Sequence, residues 1–296
     1  MYDHIVIAVD GSEESMRATR RGLALARAFD ATVDVLTVVE RKALRLTRAK
    51  NEEQRLRERG EDILADVEDL AADLDYPVNT VLREGPPDAE ISEYADEQDA
   101  DLIVVGRQGM TGLGKRLLGG VTEHVIYRTD LPVFVVPDEA ADTNGEYERI
   151  LLTTDGSENA ATATPHAGAV AAQYGAAVHI LNIVDLQSAG GLFNAGGHER
   201  EFIERLETRG QEAVDRTAAD LTERAPDVPV ETATERTRAD AGAAAGIREY
   251  VADHDINLVV MASHGRSDLG RQLLGSVTAT VLRTVNVPVL VVKRAS

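Results

Sequence analysis

The chain has 296 residues, 43% of them hydrophobic but only 4% aromatic, so a packed core is available and must be built from Val, Leu, Ile and Ala. It has no cysteine, which excludes disulfides, thiolate catalysis and cysteine-bound zinc, and no apolar run long enough to cross a bilayer, so no membrane partner is expected. A formal net charge of −20, from 51 acids against 31 Lys and Arg, opposes binding to nucleic acid and to any polyanion unless a site brings its own donors.

The acids are spread along helix-like segments such as EDILADVEDLAADLD (residues 61–75), and lysine occurs only at positions 42, 50, 115 and 293. This distribution suits a solvated, halophilic surface in a high-salt cytoplasm; an ordinary acidic mesophilic protein is the alternative. The opening MYDHIVIAVDG has no basic region and no cleavage site, so it reads as a strand rather than a secretory signal, and a cytoplasmic location is expected.

In chain order, Ile5–Val9 is a short β-branched strand ending in Asp10-Gly11-Ser12. Ser12 caps a helix that carries Met16, Leu23, Ala24, Ala26 and Phe29 and runs to Asp30. Val33–Val39 is a second strand, and Asn51–Leu74 is an amphipathic helix with Leu56, Ile63, Leu64, Val67 and Leu70 on one face. Val78–Leu82 reads as a shorter strand, Ala89–Gln98 as a helix and Leu102–Val105 as a strand. There follows GRQGMTGLGKRLLGG (residues 106–120), then a helix over Val121–Thr129 and a last strand, Val133–Val136, preceded by Pro132, where no ladder donor is lost. Alternating strands and helices with continuous apolar strands predict an α/β fold: an open, doubly wound, mainly parallel five-stranded sheet in the order 3-2-1-4-5.

The pattern occurs twice. HIVIAVDGSEESMRAT matches RILLTTDGSENAATAT, ATVDVLTVVE matches AAVHILNIVD, ISEYADEQDADLIVVG matches IREYVADHDINLVVMA, and TDLPVFVV matches VNVPVLVV, in the same order. The second glycine loop is ASHGRSDLGRQLLGS (residues 262–276), and a glycine-rich insertion, Leu186–His198, takes up part of the extra length of the second half. Two tandem domains, 1–138 and 148–296, are expected, joined by the polar segment Pro137–Glu148. Gly60 and Gly210 hold matching helix positions and suggest close packing.

In such sheets ligands bind beyond the carboxyl ends of the strands, where strand order reverses. Each glycine loop lies there and leads into a helix whose first amides and dipole favour phosphate, with the glycines permitting positive φ and close backbone approach. In the second half Ser276 and Thr278 add hydroxyl donors, and Lys115, Arg116, Arg266 and Arg271 offset the acidic background. The loop is not a Walker A motif, since Gly114-Lys115 is followed by Arg116, and it does not follow the first strand as a dinucleotide fingerprint does. By itself a glycine-rich turn is also explained as a purely structural one.

Gly106, Gly109 and, after nine residues, Gly119-Gly120 resemble the universal stress protein signature G-x2-G-x9-G-[ST]; the second half reads Ala262, Gly265 and, after nine residues, Gly275-Ser276. The resemblance covers nearly the whole chain twice, including the opening strand that ends in Asp-Gly-Ser. It implies two Rossmann-like domains of the adenine nucleotide alpha hydrolase-like type and binding of ATP, AMP or ADP, with Mg or Mn bridging the phosphates as a further option. It places Asp10 and Asp155 by the ribose or adenine, and the backbones of Val38 and Ile183 against the base. Gly106, Gly109, Gly119, Gly120, Val121 and Thr122 then line the phosphates and ribose of the first half, and Ala262, Gly265, Gly275, Ser276, Val277 and Thr278 those of the second. The strand ends Ala8, Val9, Val105, Thr153, Thr154 and Met261 complete the set. The resemblance also implies that the last strands pair to make an intramolecular pseudo-dimer, with a homodimer of the whole chain as an additional possibility.

Each half departs once from the signature. Gly120 replaces a hydroxyl residue, and Ala262 adds a methyl group at the first glycine, which ranks the second half as the better occupied site. The seven histidines (4, 124, 166, 179, 198, 254 and 264) show no metal-ligand spacing; only His264 falls in a glycine loop, where it either reaches a bound phosphate or is a solvated loop residue. No catalytic set is visible, so at most a slow ATPase is expected. The leading function is a nucleotide-dependent stress-response regulator; a weak ATP hydrolase or nucleotidyl- or phosphoryl-transfer enzyme, and an interaction scaffold with empty pockets, are the alternatives.

Overall fold

In a computed structural model, residues 1–40, 50–109, 117–138, 145–185, 199–237, 242–265 and 274–293 are described. The chain divides into two units, Met1–Glu146 and Tyr147–Arg294. Lys115, Arg116, Arg266, Arg271, His198 and the insertion Leu186–His198 fall outside the described residues.

The first unit runs β1 (His4–Val9), α1 (Glu13–Phe29), β2 (Thr32–Glu40), α2 (Lys50–Asp73), β3 (Asn79–Gly85), α3 (Pro87–Glu97), β4 (Leu102–Gly106), α4 (Gly120–Arg128) and β5 (Val133–Val136). All its strand pairings are parallel, in the order β3-β2-β1-β4-β5. Ile5, Val6, Ile7, Leu36 and Leu102–Val104 are fully buried, as continuous apolar strands covered on both faces require. The third strand continues past Leu82 to Gly85 because its backbone stays paired with β2 (Glu40 to Gly85), whatever the polarity of Arg83 and Glu84. Helix α3 begins at Pro87 rather than Ala89, since proline suits a first turn whose amides have no intrahelical partner.

The second unit repeats the plan: β6 (Arg149–Thr153), α5 (Glu158–Ala161), α6 (Thr164–Tyr174), β7 (Ala177–Val184), α7 (Glu199–Arg224), β8 (Val230–Arg236), α8 (Ala243–Asp253), β9 (Leu258–Ala262), α9 (Ser276–Thr284) and β10 (Val289–Val292). Its parallel order is β8-β7-β6-β9-β10. The counterpart of α1 is divided into α5 and α6, and Pro165 in the first turn of α6 lacks the N–H that a continuous helix needs.

Matching positions keep matching contacts. Tyr2 packs edge-on against Phe29 and Tyr147 against Tyr174, both with ring centroids 5.0 Å apart. Gly60 of α2 lies against Leu82 and Val39, and Gly210 of α7 against Asn182 and Thr234, so both glycines let a long helix approach its sheet.

Candidate functional site

β1 is flanked by β2 and β4, so strand order reverses beside it and a crevice opens at the carboxyl ends of β1 and β4. Asp10 is the first residue beyond β1. Its Oδ1 accepts the Ser12 amide (3.0 Å) and the Ser12 hydroxyl (2.6 Å), while Gly11 turns with φ 79°. Ser12 Oγ in turn accepts the Ser15 amide (3.1 Å) and caps α1. The aspartate is thus oriented by the helix it precedes.

The glycine loop closes from the other side. A Cβ on Gly109 would collide with Asp10 Oδ2, so glycine is what lets the loop reach the aspartate. Gly119 donates its amide to the Arg107 carbonyl (2.9 Å), and a Cβ there would stand 3.1 Å from that oxygen. Gly119 is also the N-cap of α4 and offers no side-chain cap, leaving the first-turn amides without a side-chain acceptor at that residue. None of the described loop glycines has a positive φ; at the two strand ends that conformation is found at Gly11 and Gly156. The described loop glycines therefore serve close approach, and the expectation of positive φ does not hold for them; Gly112, Gly114 and Gly270 lie outside the described residues.

Together these elements form a cavity of about 260 Å³. Ala8, Val9, Asp10 and Val38 line it from β1 and β2, and Val105, Gly106, Gly109, Gly119, Gly120, Val121 and Thr122 from β4, the loop and α4. Ser15, Leu36, Glu40, Pro87, Ile91 and Gln108 share the wall without having been singled out in the sequence. Leu36, Val38 and Glu40 follow the two-residue period of a strand, a signal that extends the wall along one face of β2. The Thr122 hydroxyl is buried and donates to the Gly106 carbonyl (2.8 Å), so it braces the loop.

Glu14 lies behind the loop, 9% exposed, with Oε1 accepting the Gln108 amide (3.0 Å). Burial pushes its carboxyl above the usual range, opposed by that hydrogen bond and by the guanidinium groups of Arg107 and Arg17. Arg17 also pairs with Asp138.

The second unit repeats the frame. Asp155 Oδ1 accepts the Ser157 amide (2.9 Å) and hydroxyl (2.6 Å), Gly156 has φ 76°, and Ser157 caps α5. A Cβ on Gly265 would lie 2.5 Å from Asp155 Oδ2. The Gly275 amide donates to the Ser263 carbonyl (2.9 Å), and Thr278 Oγ1 donates to the Ala262 carbonyl (2.9 Å). The Thr278 hydroxyl proton is therefore engaged within the loop, whereas Ser276 and Val277 are exposed on the first turn of α9. Ala262 has no positive φ, so its methyl group carries no backbone strain. Thr153 ends β6 and Met261 precedes Ala262 in β9, both at the same sheet edge. The Thr154 carbonyl accepts Asn182 Nδ2 (2.7 Å), and Ile183 of β7 packs against Gly246. Nδ1 of His264 lies 2.9 Å from Ser263 Oγ.

Elsewhere, His4 Nε2 meets Asp34 Oδ2 (3.0 Å) and His179 Nδ1 meets the Tyr250 hydroxyl (3.1 Å), both on the far edge of their sheets. Among the described residues no group of three His, Asp or Glu is placed to hold a metal, and no helix is long and apolar enough to cross a membrane.

A family model described as the universal stress protein family matches residues 1–137 and again 146–293. The chain belongs to the universal stress protein family. A universal stress protein of Mycobacterium tuberculosis, Rv2005c, is 30% identical over 307 residues, covering 98% of this chain and 97% of that protein. Another, MJ0531 of Methanocaldococcus jannaschii, is 37% identical over 140 residues, covering 46% of this chain and 82% of that protein. Among solved structures, a universal stress protein from Archaeoglobus fulgidus superposes with a TM-score of 0.72 at 20% identity over 99% of this chain and 97% of that one, a likeness of fold. The two family matches thus cover nearly all of both units.

Proposed function

We propose that this universal stress protein binds an adenine nucleotide, ATP or a relative of it, at the carboxyl edge of its sheets and acts as a nucleotide-dependent stress-response regulator. The observation that carries this reading is the first-domain cavity, where the Asp10 carboxylate, the backbone of β2 and the glycine-flanked start of α4 face one space. Each part suits one part of a nucleotide. Asp10 lies on the cavity wall, with Oδ1 accepting from Ser12 and Oδ2 beside Gly109, and its carboxylate is of the chemistry that accepts from ribose hydroxyls. Val38 and Ile91 offer apolar contact to a base, and the first amides of α4 offer donors and the positive end of a dipole to phosphate. A divalent ion would arrive with the phosphates and be held mainly by them.

Nucleotide carried through purification, identified by mass spectrometry, followed by titration with ATP, ADP, AMP and cAMP in molar KCl, tests the proposal. Gly109→Ala and Gly265→Ala should each weaken binding in their own domain at least tenfold, because the new methyl group displaces the aspartate. Absence of bound nucleotide together with flat titrations would refute it and leave an interaction scaffold.

A further inference from the structure

The two domains differ at one contact directly behind the loop. In the first, the Gln108 amide, on the cavity wall, donates to the Glu14 carboxylate (3.0 Å), which comes from the first turn of α1. Gly106 makes room for that side chain: a Cβ there would lie 3.3 Å from Glu14 Cγ. In the second domain the matching positions are Asn159, His264 and Ala262. Neutral Asn159 turns its Nδ2 to the Gly265 carbonyl (3.4 Å), and a methyl group stands where Gly106 leaves space. Glycine with glutamate in one half and alanine with asparagine in the other therefore change as a pair.

The hydrogen bond itself does not require a charge. A glutamine would accept the same amide without the cost of desolvating a carboxylate, and that cost is visible in the raised proton affinity of Glu14. The carboxylate sits beside the loop that the nucleotide reading assigns to phosphate, in the half that also lacks the hydroxyl of Ser276. Unit charges a few ångströms apart near a protein surface shift an equilibrium by more than about tenfold.

We propose that Glu14 is a positioning residue for ligand selection: it engages the Gln108 amide and fixes a negative charge behind the wall, so that the first domain favours adenine ligands with fewer phosphates over ATP more strongly than the second domain does. This rests on the nucleotide reading. The test is titration calorimetry of the full chain with ATP and with adenosine, at the lowest salt that keeps it folded by circular dichroism. It compares the unmodified protein with Glu14→Gln, Glu14→Ala and Asn159→Glu, the two Glu14 variants also in a Gly265→Ala background to isolate the first domain. The ratio of ATP to adenosine affinity in the first domain should rise at least fivefold in Glu14→Gln and Glu14→Ala, and should fall in the second domain of Asn159→Glu. Glu14→Gln keeps the acceptor and the shape, so a purely structural role would leave its ratio where it was. Adenosine binding with a ratio within twofold of the unmodified protein in both Glu14 variants overturns the selector alone. If neither ligand binds the unmodified chain or any variant, the nucleotide reading falls and the selector with it.

Discussion

Asp30 and Gly175 end matching helices, α1 and α6, in the same left-handed conformation, with φ of 56° and 65°. Glycine adopts it freely, whereas aspartate bears a Cβ penalty and puts a negative charge at the negative end of a helix dipole. Asp30→Gly should stabilise the first domain by roughly 0.5–1 kcal/mol and Gly175→Asp should cost the second about as much, as read by denaturant midpoints at constant m. Two titratable groups, half-buried His166 and buried Glu14, give opposite pH slopes. Burial lowers His166 to about 4, so the folded state resists its protonation, and stability present above its ordinary value near 6.5 is lost as pH falls toward 4. Glu14 is raised, so the folded state binds its proton more tightly than the unfolded chain, and stability present below the ordinary carboxylate value is lost as pH rises through the folded one. His166→Gln should therefore flatten the loss on the acid side, and Glu14→Gln should raise the melting temperature at neutral pH, both seen in thermal melts across pH. At the mouth of the first site, a Cβ on Gly120 meets nothing within 4 Å and the backbone there is ordinary. Gly120→Ser should fold normally and, on the nucleotide reading, tighten ATP binding in that half on the order of tenfold, since a hydrogen bond to a charged group contributes about 1.5–3 kcal/mol.

At the scale of elements, the long helices pack through Gly60 and Gly210 with different tolerance. A methyl group on Gly60 presses first on the end of Leu82, which can swing. On Gly210 it meets Asn182 Oδ1, and Asn182 cannot move without losing the bond from its Nδ2 to the Thr154 carbonyl at the edge of the second site. Gly210→Ala should cost about 1–3 kcal/mol despite its better helix propensity, and Gly60→Ala distinctly less, as measured by chemical unfolding. The frame was legible in the sequence because its signals are local. β-branched runs gave the strands, Ser12 the start of α1, and the doubled Asp-Gly-Ser and glycine loops the edge where the crevice opens. Strand and helix ends were less legible: Arg83 and Glu84 are polar yet paired in β3, and Pro87 starts a helix that apolar spacing places later. The contact of Glu14 with Gln108 joins residues 94 apart and leaves no periodic trace, so only the folded arrangement reveals it. The same holds for Gly109 and Gly265, whose small size is explained by Asp10 and Asp155 facing them.

For the whole molecule the dominant quantity is the net charge of −20, which repels itself in the compact state more than in the extended one. Cations are scattered among the acids in pairs such as Arg128 with Asp88 (2.6 Å), Arg224 with Asp220 (2.8 Å) and Arg149 with Asp255 (3.2 Å), all at least partly exposed. Such pairs contribute about 0–1 kcal/mol each and weaken with salt, while screening relieves repulsion summed over all the excess acids. The second effect is the larger, so added KCl should raise the melting temperature. The shape of the rise separates two causes. Screening alone is nearly complete once the Debye length has fallen from about 10 Å at 0.1 M to about 3 Å at 1 M, and gives a curve that levels off. A further climb above molar KCl, greater than that of a charge-neutralised variant carrying Asp-to-Asn changes on the exposed face of α2, would show that the carboxylate surface is adapted to concentrated salt. A melting temperature flat or falling across the whole range would instead mark an ordinary acidic protein whose scattered ion pairs outweigh its excess charge.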